Sequence, residues 1–202
     1  MEAHPRLSVE HYRQGLRFYK MMKMKTRAEC LQQYGSDYMI RKKVNDGELY
    51  EVGKAVFSEE KNVPEIAVLA FKYPNSIITM NSAFYLHGLT DVIPDEYDLA
   101  TERDAAKIRN RRVKQYFVPE DFFVQGVEES NYKGYPIRLY SKERMLIELL
   151  RYKSKLPFDY YKEILLNYRK ILPRLNIQEI QDLAYDAPKR NKIMETLQTE
   201  VL

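Results

Sequence analysis

Thr26 to Phe57, TRAECLQQYGSDYMIRKKVNDGELYEVGKAVF, reads as two short helices followed by a tight β-hairpin. Thr26 is placed to cap a helix, and Glu29 three residues on completes a capping box that satisfies two otherwise orphan amides. The long apolar anchors of that helix are Cys30 and Leu31. It ends at Tyr34-Gly35, where glycine can take the positive φ that a turn between helices needs. Ser36 caps the next helix, Asp37 to Asn45. In it Ile40 and Val44, at i and i+4, face a core, while Asp37, Tyr38, Arg41, Lys42 and Asn45 point elsewhere. Asp46-Gly47 stops it. Leu49, Tyr50 and Val52 lead into Gly53-Lys54, and Val56-Phe57 return, which is the pattern of two short strands around a turn with Lys54 at its tip.

Helix, turn, helix and hairpin in this order are the parts of a winged helix-turn-helix, an architecture that reads DNA. A recognition helix fits the major groove, and its side chains meet base edges while Arg and Lys pair with guanine or phosphate. The expected DNA-binding residues are therefore Ser36, Asp37, Tyr38, Arg41, Lys42, Lys43 and Asn45 on the second helix, Lys54 on the wing, and Arg27 at the start of the first helix. A run such as Arg-Lys-Lys is also the composition of an ordinary solvated helix face. The DNA reading is preferred because capped helix, glycine turn, basic helix and wing stand in the required order.

Charge distribution points the same way. Residues 1–57 hold 11 Lys plus Arg against 7 Asp plus Glu, while the remaining 145 hold 22 of each, so the net +4 of the chain falls on the expected reader. Lys20, Lys23, Lys25 and Arg27 extend that basic character upstream of the first motif helix. At 202 residues and 45% hydrophobic content, the chain can fold without staples. It has no run of 18 apolar residues, and MEAHPRLSVEHYRQ lacks the apolar core of a signal peptide, so no membrane partner and a cytoplasmic location are expected. With a single cysteine there is no internal disulfide, and Cys30 reads as a small buried hydrophobe.

The expected fold class is α+β: a winged helix-turn-helix DNA-binding domain over residues 1–60, then a mixed α/β domain over 61–202 with a small sheet and a helical C-terminal tail. A helix from Val9 to Met22, capped by Ser8 and striped by Val9, Tyr12, Leu16 and Tyr19, opens the first domain. The polar run SEEKN at Ser58 to Asn62 marks the boundary, and Pro64 starts a helix to Phe71. A strand is predicted over Ser76 to Met80 and a helix over Ser82 to His87 with Ser82 as its cap, stopped by Gly88. Strands follow over Glu96 to Thr101, Val113 to Val118, Phe122 to Glu128 and Tyr135 to Tyr140, with Asn131 to Gly134 as a hairpin turn. Helices over Lys142 to Lys153, Phe158 to Leu172, Ile177 to Tyr185 and Lys189 to Glu200 close the chain, with Ser141, Asn176 and Pro188 marking starts.

NSAFYLHGLTDVIPDEYDLAT at Asn81 to Thr101, followed by SKERMLIELLR at Ser141 to Arg151, resembles the AbiEi antitoxins of type IV toxin–antitoxin systems. The motif residues here are Ser82, His87, Gly88, Leu89 and Pro94 in the first stretch and Glu143 and Arg144 in the second. The family's wing pattern is matched by Val52 to Phe57, except that Ala55 replaces a frequent glycine, which leaves Gly53 to supply any positive φ in that turn. Met145 and Glu148 stand where the family has threonine and aspartate. The resemblance implies a bacterial antitoxin of the abortive-infection type, active in phage defence, that represses its own operon. Its partners would be duplex DNA of its own operator, met as inverted repeats by a homodimer, and a nucleotidyltransferase-like toxin counteracted without a required stable complex.

Catalytic readings fare worse. Ser82, His87 and Asp91 lack the strained Gly-x-Ser-x-Gly elbow of a hydrolase. Asp98, Glu102 and Asp104 could hold Mg²⁺ only if strand geometry converged them. His4, His11 and His87 are too dispersed for zinc. No enzyme, cofactor or metal is expected. The alternatives are a nucleic-acid-processing enzyme and a ligand-sensing regulator carrying the same DNA-binding domain. Tyr152, Tyr160, Tyr161 and Tyr168 stand among Arg151, Lys153, Lys155, Lys162 and Arg169, a mixture read first as amphipathic cover for a helical core and second as a surface for nucleic acid.

Overall fold

A computed structural model describes residues 23–201, so the helix expected from Val9 to Met22 lies outside the described residues. The chain is α+β. It divides into two compact units, one of residues up to Asn75 together with Ser130–Ile137, the other of Ser76–Glu129 and Arg138 onward.

In the first unit β1 (Met24–Thr26) leads into α1 (Arg27–Tyr34) and α2 (Asp37–Asn45), followed by β2 (Tyr50–Gly53), β3 (Val56–Ser58) and α3 (Glu65–Lys72). The strands form one antiparallel sheet in the order β1-β3-β2, with Met24 and Tyr50 both opposite Ser58. The capping box forms: the Glu29 amide donates to the Thr26 hydroxyl and the Thr26 amide to the Glu29 carboxylate at 2.7 Å. Gly35 takes φ +84° between the helices. Cys30, Ile40, Leu49 and Phe57 make one core cluster, in which burial raises the Cys30 thiol pKa. Met24, Val56, Ala67, Val68, Phe71 and Tyr135 make another.

That second cluster moves the boundary expected at residue 60. α3 buries Ala67, Val68 and Phe71 with β1 and β3, so it belongs to the first unit instead of opening the second. Glu59 and Glu60 of the polar run are held by Lys25 and Lys23, and Glu60 also accepts from the Tyr135 hydroxyl.

The second unit contains β4 (Ile77–Ile78), α4 (Met80–Leu86), β5 (Tyr97–Glu102), β6 (Val113–Val118), α5 (Glu120–Phe123), and then α6 (Lys142–Tyr152), α7 (Phe158–Ile171), α8 (Ile177–Asp186) and α9 (Arg190–Glu200). The hairpin of β7 (Val127–Tyr132) and β8 (Tyr135–Tyr140) completes a five-stranded sheet in the order β6-β5-β4-β8-β7. β5 and β6 run parallel, Tyr97 opposite Val113 and Glu102 opposite Val118. The turn expected at Asn131 to Gly134 is present, with the Gly134 amide donating to the Asn131 side chain.

Phe122 to Glu128 is not a strand throughout. Pro119 presets the first turn of α5, and its carbonyl accepts from the Phe122 and Phe123 amides, which commits those amides to a helical turn instead of a strand ladder; both rings are buried. The strand starts only at Val127. Likewise Ser82 does not cap α4; Thr79 occupies that place, and the buried Ser82 hydroxyl accepts from the Asp98 amide at 2.9 Å.

Candidate nucleic-acid interface

Ser36 caps α2 by accepting from the Met39 amide, and Ile40 is buried beneath it. At about 100° per residue, Tyr38, Arg41, Lys42 and Asn45 fall within an arc of about 100° on the side away from Ile40 and Val44. All four are exposed, Tyr38 to 73%. Lys54 and Ala55 form the exposed tip of the β2–β3 hairpin, which is tied to α1 by the Arg27 amide donating to the Ala55 carbonyl at 3.1 Å.

The basic side chains around this face divide into two classes. Lys23 pairs with Glu60, Lys25 with Glu59 and Lys43 with Glu48, at 2.6 to 2.7 Å, and each carboxylate raises the pKa of its lysine. Arg27 makes a two-point pair with Asp37, Nε to Oδ1 at 3.0 Å and Nη2 to Oδ2 at 2.5 Å. Lys43 also lies over the Tyr34 ring, 5.3 Å from its centre. Among the described residues, Arg41, Lys42 and Lys54 have no such carboxylate. Of the nine expected contact residues, the structure therefore leaves Tyr38, Arg41, Lys42, Asn45 and Lys54 available, and holds Ser36, Asp37, Arg27 and Lys43 in caps and pairs.

The β2–β3 turn is built differently from expectation. Ala55, not Gly53, takes the positive φ, at +60°. Gly53 is there for space, since a Cβ on it would stand 2.7 Å from Val68 Cγ1 of α3.

In the second unit the motif residues are joined to the framework. His87 ends α4, and its Nε2 lies 2.7 Å from the Tyr140 carbonyl, a donor position; burial lowers its pKa. Gly88 and buried Leu89 close the helix end, and the Leu89 carbonyl and Thr90 hydroxyl bond Asn167 and Glu163 of α7. Pro94 lies half-buried in the following loop. Glu143 accepts from the Asn176 amide at the start of α8. Arg144 is fully buried between the Phe122 and Tyr140 rings, its guanidinium carbon 3.5 and 4.2 Å from their centres. It donates to the Phe122 and Gln125 carbonyls and to Glu148, which also receives Arg151. Glu148 is thus the carboxylate shared by two arginines.

The residues weighed for catalysis go separate ways. Ser82 serves Asp98 and His87 serves Tyr140, while Asp91 is exposed. Among the described residues no group of three or more His, Cys, Asp or Glu converges as a metal site. Asp98 was visible in the sequence only as one acid of a triplet. It is 1% exposed, accepts from the Asn81 amide at 2.9 Å, and is pushed up to about 6, first by burial. Among the described residues no helix is long and apolar enough to cross a membrane.

The chain's fold class is that of a two-unit α+β protein, and solved structures share it. The crystal structure of RV2827C protein from Mycobacterium tuberculosis superposes with a TM-score of 0.62 over 97% of this chain and 78% of that one, at 12% identity, a likeness of fold alone. No protein-family model and no curated protein matches the chain.

Proposed function

We propose that the first unit is a winged helix-turn-helix that binds duplex DNA of its own operator, and that the protein is an autorepressor and antitoxin of a type IV toxin–antitoxin system. The observation that carries the DNA reading is the exposed arc of Tyr38, Arg41, Lys42 and Asn45 on a capped helix, with its cations unpaired by any carboxylate of the described residues and Lys54 at the hairpin tip. Arginine donates two bonds to guanine and asparagine two to adenine, so Arg41 and Asn45 supply base readers and Lys42 and Lys54 phosphate contacts. The antitoxin reading rests on the AbiEi-like stretches at Asn81 to Thr101 and Ser141 to Arg151. In this reading two copies meet inverted repeats, the second unit opposes a nucleotidyltransferase-like toxin, and no catalysis or cofactor is involved.

One pair of measurements tests both halves. An Arg41→Ala/Lys42→Ala chain should lose retention of a duplex from its own upstream region in a gel shift, each base-reading contact being worth about 1 to 3 kcal/mol. The same chain should still rescue growth when the neighbouring toxin gene is expressed from an unrelated promoter. Equal retention by wild type and variant rejects the recognition helix; death of the rescued cells rejects the division of labour.

A further inference from the structure

The 22 cations and 22 anions of residues 58–202 are not evenly spread. Arg103 to Lys114, RDAAKIRNRRVK, carries six cations and one anion, a net +5, and leaves the other residues of that span at −5. This stretch connects β5 to β6. Because those strands are parallel, the connection must return along the length of the strand across one face of the sheet.

The Gln115 side chain holds it there. Its amide nitrogen donates to the Ala106 carbonyl at 3.2 Å and to the Thr101 hydroxyl at 2.8 Å, and its oxygen accepts from the Ile108 amide at 2.8 Å. Asn110 turns the chain into β6, its side chain accepting from the Arg112 amide and its carbonyl from that of Val113. Arg103, Lys107, Arg109 and Arg111 are exposed on this held loop, without a carboxylate partner among the described residues. Val113, Gln115 and Phe117 share one face of β6 by the two-residue alternation of a strand. β6 is an edge strand, and Phe117, a large ring on the face it shares with the loop-holding Gln115, is 46% exposed. Tyr97, opposite Val113, carries Arg112 over its ring at 5.6 Å.

Cations laid along a held loop, with an uncovered aromatic ring on the strand face that holds it, match a polymer that alternates phosphates with flat bases. A duplex hides its base faces, whereas a single strand offers them for stacking. We propose that this face of the second unit binds single-stranded nucleic acid, with phosphates on Arg103, Lys107, Arg109 and Arg111 and a base stacked on Phe117. The site is independent of the helix α2 reading.

The test uses the full chain carrying Arg41→Ala, Lys42→Ala and Lys54→Ala, so that any binding lost belongs to the second unit. Fluorescence anisotropy is measured against an oligothymidine and an oligouridine of about twelve nucleotides, within the usual span of such sites, an abasic strand of equal length, and the corresponding duplex. Both base-bearing strands should bind, and changing the four loop cations to Gln should flatten the plot of log K against log salt by about 2.8, from about 0.7 per phosphate. Arg103→Lys/Arg109→Lys/Arg111→Lys should restore the slope. Phe117→Ala should weaken both strands by about fivefold or more and leave the abasic strand unchanged. Absence of binding, equal binding by the Phe117→Ala chain, or a duplex or abasic strand held as tightly as the base-bearing ones overturns the proposal. If the Gln chain misfolds, the Lys and Phe117 variants still decide it.

Discussion

If the first unit binds its operator as proposed, the division of its basic side chains sets how that binding should respond to salt. Binding releases about 0.9 condensed counterion per phosphate neutralised, so the slope of log K against log salt counts the cations that reach phosphate. If every basic side chain around α2 did so, the four paired ones, Lys23, Lys25, Arg27 and Lys43, would join Arg41, Lys42 and Lys54. Seven cations give a slope of about −6.3 per copy, three give about −2.7. Over a fourfold rise in salt these differ as about 6,000-fold against about 40-fold. Residues 1–22 carry further cations, so the decisive quantity is the change made by each substitution. Arg41→Ala, Lys42→Ala or Lys54→Ala should each flatten the slope by about 0.9 per copy. Lys23→Ala, Lys25→Ala and Lys43→Ala should leave it where it is, because each lysine is already neutralised by a carboxylate within 2.7 Å. Anisotropy titrations of the operator across a salt series measure this directly. If Lys25→Ala flattens the slope as much as Lys54→Ala does, the carboxylates yield to phosphate and the division is wrong.

Two further expectations concern stability. Substituting alanine at Gly53 and glycine at Ala55 should act in opposite directions: the first forces a methyl to within 2.7 Å of Val68 Cγ1 and should cost about 1 to 3 kcal/mol. The second relieves a left-handed residue worth about 1 to 2 kcal/mol, offset by about 0.4 to 1 kcal/mol of unfolded-chain entropy, for a net gain on the order of 0.5 to 1 kcal/mol. Urea midpoints that shift the same way for both variants would refute this account of the β2–β3 turn. Asp98, pushed up to about 6 from 3.8, keeps its proton in the folded chain to higher pH than in the unfolded one, so its contribution is full below 3.8 and lost as pH rises to about 6. The loss is on the order of 3 kcal/mol. Asp98→Asn should therefore gain on wild type by that amount between pH 4 and pH 7, with His87, whose lowered pKa works in the opposite sense, common to both; a constant difference would count against it.

What was legible in the sequence was mostly local. The Thr26 and Glu29 box and the Ser36, Ser141 and Asn176 caps follow from a side chain meeting an amide two or three residues away, and all are formed. β6 and β8 fall on their predicted residues. The misses came from partners distant in sequence. Gly53 answers to Val68, the place of α3 to Met24 and Tyr135, and the burial of Arg144 to two rings and a shared carboxylate. A charged residue on an apolar helix gives no sign of which of those it will meet.

Charge shows the same limit most sharply, because a count of cations carries no information on which are already neutralised. By sequence, the first 57 residues owned the excess and the rest were neutral. In three dimensions several of those cations face carboxylates supplied by turns, a strand end and a helix start, whereas among the described residues Arg103, Lys107, Arg109 and Arg111 face none. The balancing acids of the second unit stand elsewhere: Glu148 between Arg144 and Arg151, Glu200 with Lys153, Glu143 on the Asn176 amide. A neutral average therefore conceals a strong local excess, and the residues available to a polyanion are those whose neighbours supply no carboxylate.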